Sequence, residues 1–178
     1  MTVQPFVIRR AESADQPAIE ALNLDAFAPG NESFGTIVGP RIDAVVHPDR
    51  DVKQRDDLAK SLAMPGASLW VAEVPDDHIA GFMVVAVDDA SRVGEVAIIA
   101  VAAAHRGVGI GSALVQNAME TMRAAGMLVA EIGTGGDEFH APARRCYERN
   151  GFVAVPVVHY FRALEPAEEA TRQADADR

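Results

Sequence analysis

The residues that could do chemistry gather behind one apolar run. His105-Arg106-Gly107-Val108-Gly109-Ile110-Gly111 follows Val93–Val101, and an amphipathic stretch begins at once. The first N–H groups of a helix lack internal partners, and its dipole adds partial positive charge there. Glycines at such an end let an anion reach the main chain, and Arg106 adds charge-assisted donors. The chemistry this spacing offers is anion binding, with a phosphate as the natural ligand.

Two ordinary phosphate readings and one without a ligand can be weighed on the residues. A Walker loop needs a Lys-Ser/Thr pair after its glycines, and none stands here. A dinucleotide fingerprint read from Gly107 would need glycine where Ser112 stands, which disfavours NAD. A tight turn that holds nothing stays open. His47, His78, His105, His140 and His159 show no close ligand spacing, so no metal site is expected. The single cysteine, Cys146, excludes an internal disulfide and a thiolate zinc site, and reads as a small buried hydrophobe.

The elements that must position this loop follow from pattern. Phe6–Arg9 reads as a first strand, and Ser13 with Gln16 as a capping box before Pro17. Ile19, Leu22 and Ala26 place a helix over 14–27. From Pro29 to Val52 the pattern is lost among Gly30, Gly35, Gly39, Pro40 and Pro48, which reads as a long functional loop. Lys53–Met64 is a short helix. Ser68–Val74 and Ile79–Val87 flank a Pro75–His78 hairpin turn. Val93–Val101, with its unbroken VAIIAV, reads as a central strand buried on both faces.

Ile110, Leu114, Ala118 and Met122 then give a strong amphipathic helix that ends before Gly126. Leu128–Ile132 reads as another buried strand, followed by flexible glycines at 133, 135 and 136. Ala143–Arg149 is a helix ending at Asn150-Gly151, and Phe152–Val155 and Val157–Leu164 read as closing strands. The order predicts one α/β domain over 1–165, a mixed sheet with helices on both faces, and a frayed acidic and alanine-rich tail over 166–178.

Composition bounds the class. The chain has 178 residues, 16 Lys+Arg and 26 Asp+Glu, for a net charge of −10. That acidity weighs against nucleic acid. No apolar run reaches the roughly 18 residues of a membrane span, and the first residues lack a secretory core. A cytoplasmic protein without membrane partners is expected.

Two motifs narrow this further. Arg106 to Gly111 matches the [Q/R]-x-x-G-x-[G/A] signature of the GNAT N-acetyltransferase superfamily, and Ala143 to Phe152 resembles its second signature, A-x-x-L-Y-x-x-x-G-F. The resemblance is close from Val93 to Val155, and the element order fits from Phe6 to Leu164. It implies the GNAT fold, a mixed and mostly antiparallel sheet splayed between two strands. It also implies acetyl-CoA as co-substrate and transfer to a primary amine of a small molecule or peptide by direct attack in a ternary complex. An acyl-CoA-binding module without turnover is the alternative. Many members are dimers, so the resemblance extends to a homodimer, although the sequence shows no interface.

By the same resemblance, main-chain groups of Ile99, Ala100 and Val101 would face the pantetheine arm. Amides of Arg106, Gly107, Val108, Gly109, Ile110 and Gly111, with Ser112 beside them, would hold the pyrophosphate. Tyr147 falls on the usual general acid, and Glu95 on a position where many members carry a glutamate base. His159, Glu131 or a water are alternatives for that base. His140 stands where the family often has an asparagine that contacts the arm. The segment Pro29–Val52 is expected to shape the acceptor pocket.

Overall fold

A central strand of unbroken apolar character organises the chain, seen here in a computed structural model describing residues 5–75 and 78–164. The sheet has five strands in the order β1 (Val7–Arg10), β2 (Ser68–Val74), β3 (His78–Asp88), β4 (Val93–Val101), β5 (Val129–Ile132). The first four are antiparallel neighbours, and β4 and β5 are parallel. This is the mixed, mostly antiparallel sheet that the sequence predicts.

Helices cover both faces because β3 is apolar on both. Its Met83 and Val85 face α4 (Ile110–Ala124) through Ile110, Leu114, Ala118 and Met122. Its Phe82 and Val84 face Ile19, Leu22 and Ala26 of α1 (Gln16–Val38) and Leu58 of α3 (Arg50–Leu62). Two strand glycines seat α4. A Cβ on Gly81 would meet Ala100 O at 3.0 Å and Ile110 Cγ2 at 3.2 Å, and one on Gly94 would meet Met122 Sδ at 2.8 Å. The helix lies too close for any side chain there.

The segment 29–52 is helical, which corrects the loop reading. α1 continues through Pro29 to Val38, and α2 (Pro40–Val46) follows Gly39. Its buried stripe stops at Ala26, so no apolar period marks the extension. Side-chain contacts hold it. Asp43 accepts from His47 and Arg50, and Phe34 meets the rings of His47 at 4.7 Å and Phe161 at 5.3 Å.

Other expectations change too. The capping pair is Glu12 and Asp15, one residue earlier than expected, with Glu12 N–H donating to Asp15 Oδ2 at 2.7 Å. β5 is a half-exposed edge: Val129, 56% exposed, and Glu131 face outward, while Ala130 and Ile132 pack against the core that includes α4. His78 opens β3 and does not sit in the turn. Phe152–Val155 and Val157–Leu164 form no strand, and their valines are exposed. The tail, 166–178, lies outside the described residues.

One polar pair crosses the core. Asn23 is fully buried; Gln54 Nε2 donates to its Oδ1 at 2.9 Å, and Asn23 Nδ2 donates to Gln54 O at 3.1 Å. Truncating one partner strands a buried donor and acceptor. Asn23→Ala should therefore cost about 1–3 kcal/mol, read as a lower urea midpoint at unchanged slope. An unmoved midpoint would show that the pair adds nothing.

Candidate active site

The crevice begins where pairing stops. β4 and β5 are in register from Val93↔Val129 to Val96↔Ile132, and no further. A bulge at the same point shifts the other edge, with Val84 opposite Ile98 but Val85 opposite Val96. Ala97 is the extra residue, and twist increases at such bulges. From Ala97 to Val101, β4 keeps β3 on one side and has no strand on the other among the described residues. Ile99, Ala100 and Val101 are thus the residues whose main chain borders the gap.

At the end of β4 stands the glycine loop. Gly107 has φ 79° and Gly109 φ 101°, and Gly109 is the residue capping α4. L side chains avoid this backbone region. A Cβ at either position would meet nothing within 4 Å, so the space before the loop is clear for an anion. Arg106 Nε donates to Val101 O at 3.1 Å, which ties the loop to the strand end. Ser112 is tied as well. Its hydroxyl donates to Asn150 Oδ1 at 3.1 Å and accepts from Asn150 Nδ2 at 2.9 Å.

That link brings α5 (Ala141–Arg149) to the loop. A Cβ on Gly111 would lie 3.8 Å from both Cys146 Sγ and Val101 Cγ2, so α5 flanks the end of β4. Tyr147 is 9% exposed, and burial followed by neighbouring Cys146 pushes its phenol up to about 12. A phenol at that level holds its proton throughout the physiological range. Full transfer to a thiolate whose acid titrates near 8.5 is then uphill by roughly 5 kcal/mol. Tyr147 is therefore better suited to donate a hydrogen bond than to release a proton. Burial likewise raises the Cys146 thiol, outweighing Arg149, which leaves it a poor nucleophile.

The remaining candidates spread out. Glu95 is exposed on β4, directly beside Glu131 of β5, in an open cleft with Asp88 and Ser91. His159 is exposed in the C-terminal segment. A second cleft lies at the bulge, between Phe27 of α1, Gln54 and Asp57 of α3, and Ala97 and Ile98 of β4. His140 is the residue preceding α5, and its Nδ1 is bonded to Asp137. Asp137, Asn150 and Phe27 were not singled out by sequence. The Asp137-x-x-His140 spacing before a helix was the available signal. Among the described residues no group of three or more His, Cys, Asp and Glu side chains could hold a metal, and no helix is long and apolar enough to cross a membrane.

The sequence profile of the acetyltransferase (GNAT) family matches residues 40–152, which contain the loop, the parted strands and α5. The chain belongs to this family. A mycothiol acetyltransferase from Sanguibacter keddieii is 30% identical over 149 residues, covering 79% of this chain and 46% of that protein. Another from Arthrobacter sp. strain FB24 is 27% identical, covering 80% of this chain and 46% of its own length. The chain therefore spans about half the length of these relatives. Among solved structures, AAC(6')-Iy in complex with a CoA-containing bisubstrate analogue superposes with a TM-score of 0.61 at 17% identity, covering 90% of this chain and 99% of that one. At that identity the likeness shows the fold, and the fold is that of the GNAT family.

Burial of Tyr147 has a measurable sign. Its folded value near 12 lies above the unfolded value near 10, so its stabilising contribution is complete below pH 10 and disappears as pH rises through 12. Between these limits the wild-type chain should lose roughly 2–3 kcal/mol more than Tyr147→Phe. Denaturant midpoints at pH 9 and 11.5 check this; equal losses in both proteins would place the phenol in solvent.

Proposed function

We propose that this GNAT-family chain transfers an acetyl group from acetyl-CoA to a primary amine of a small molecule or peptide. The parting of β4 from β5 beside a helix N-terminus with a glycine loop carries the reading. It offers a long unpaired strand edge for an arm and N–H groups for a pyrophosphate at its end. The clear space before Gly107 and Gly109 fits an anion. Both relatives bear the name acetyltransferase, which supports the same reaction class.

Acetyl-CoA supplies an acetyl thioester. The main chain of Ile99, Ala100 and Val101 lines its arm, and the amides from Arg106 to Gly111 hold the pyrophosphate beside Ser112. Arg106 adds charge when its bond to Val101 O opens. Tyr147 donates a hydrogen bond at the leaving sulfur, where negative charge develops. The bulge cleft between Phe27, Gln54 and Asp57 receives the acceptor. Attack requires a neutral amine, so a proton acceptor must border the crevice. Glu95, two residues before the bulge, is the carboxylate candidate for that acceptor.

Two measurements on one preparation test this. Acetyl-CoA at 100 times its Kd should raise Tm by roughly 5–11 °C for a domain of this size, while NAD and ATP should not. CoA release should then be followed with glucosamine, spermidine and a tripeptide as acceptors. Tyr147→Phe should keep the Tm rise and lose roughly 10²-fold in kcat. Binding without CoA release for any amine would indicate an acyl-CoA-binding module. No Tm rise would sink the reading.

A further inference from the structure

Beside the crevice the chain builds an imidazole that the reading above leaves unused. We propose that His140, oriented by Asp137, accepts the proton of the attacking amine; this rests on the acetyl-transfer reading. The glycine-rich segment leaving β5 crosses to α1, where Ser33 Oγ donates to Asp137 Oδ2 at 2.7 Å. His140 N–H donates to Asp137 Oδ1 at 3.2 Å, and the ring Nδ1 meets the same oxygen. Burial alone would raise this carboxyl, but the bonds from His140 and Ser33 bring it below its ordinary value. An ionised carboxylate only accepts, so Nδ1 carries a hydrogen and, in the neutral imidazole, Nε2 presents its lone pair.

The imidazole is held from several sides. A Cβ on Gly135 would collide with the Nδ1 side of the His140 ring, so only glycine leaves it room. Arg144 Nη1 fastens the segment by donating to Gly135 O and Asp137 O, both at 2.6 Å. Phe139 closes one edge at 4.9 Å between ring centroids. The side chain nevertheless stays 28% exposed, enough to be reached.

Its place is against α1. A Cβ on Gly30 would lie 3.6 Å from Nε2, so Nε2 abuts α1 one turn from Phe27, which lines the bulge cleft. Tyr147 follows seven residues later on α5, on the same helix face and about 10 Å along the axis. Glu95 has no comparable support: it is exposed, and its strand neighbour is another carboxylate. In the step, the amine nitrogen bonds to the acyl carbon and the C–S bond breaks. One N–H proton passes to Nε2, and the sulfur leaves with the electron pair, hydrogen-bonded by Tyr147. Imidazolium and thiolate together balance the charge.

The test compares His140→Gln, Asp137→Asn and Glu95→Gln with the wild-type chain, using acetyl-CoA and the amine turned over most rapidly. His140→Gln should lower kcat by roughly 10²–10³-fold, with KM for acetyl-CoA changed less than about threefold. Asp137→Asn should lower kcat by about 10-fold. Added imidazole should restore part of the turnover of His140→Gly. Unfolding curves in the presence of acetyl-CoA show that each variant is folded and loaded. If His140→Gln instead weakens acetyl-CoA binding at intact kcat, the residue is an arm contact and the assignment falls. A kcat loss confined to Glu95→Gln would also overturn it. Absence of CoA release from the wild-type chain would remove the acetyl-transfer reading, and this assignment with it.

Discussion

The separation of two parallel strands is the constraint on which the rest of this molecule depends. β4 and β5 share only four register pairs before they part at Val96 and Ile132. Parallel strands in a continuous sheet would satisfy their main-chain groups on each other, leaving nothing for a ligand. Here the bulge at Ala97 adds a residue to β4 at that point, and the sheet opens beyond it. The loop, α4 and α5 are arranged around the open edge. Each gains chemical meaning only because β4 has a free side.

Satisfying the opened edge without collapsing it falls to the neighbouring elements. Arg106 occupies the last carbonyl of β4, and Ser112 with Asn150 joins the first turn of α4 to the end of α5. On the far side, Ser33, Asp137 and Arg144 join the segment after β5 to α1 and α5. Polar ties across otherwise separate elements specify one arrangement where apolar packing would allow several. The apolar core lies in two clusters on either side of β3, and through Ile98, Ala100 and Ile110 it reaches the strand and helix that border the gap.

Much of this was legible in the residues. The run at 93–101, the glycines after it and the four-residue repeat from Ile110 state a strand, a loop and a helix in their own periods. Gly151 was legible because the turn after α5 needs a positive φ, whereas Tyr147 was legible only through the resemblance of Ala143 to Phe152 to the family's second signature. The helix over 29–46 was not, since Pro29, Gly35 and the missing apolar stripe argue against one. Tertiary contacts through Asp43 and Phe34 override that preference. The 152–164 segment errs in the opposite direction. Its valines favour strands, but the segment pairs with no strand among the described residues and leaves them exposed. His140 was legible only as an arm contact, and Asp137 not at all, because their pairing is anchored by Ser33, more than 100 residues away.

The glycine seats beneath α4 carry a consequence for engineering. Glycine within a strand weakens it by about 0.5–1 kcal/mol relative to alanine, and thermostabilisation schemes routinely replace such residues. At Gly81 and Gly94 that substitution would lift a helix whose first turn is the edge of the anion loop. A sturdier sheet would thus be obtained by displacing the loop from the crevice it serves. Directed evolution toward heat resistance should avoid these two positions and act on the exposed edge of β5.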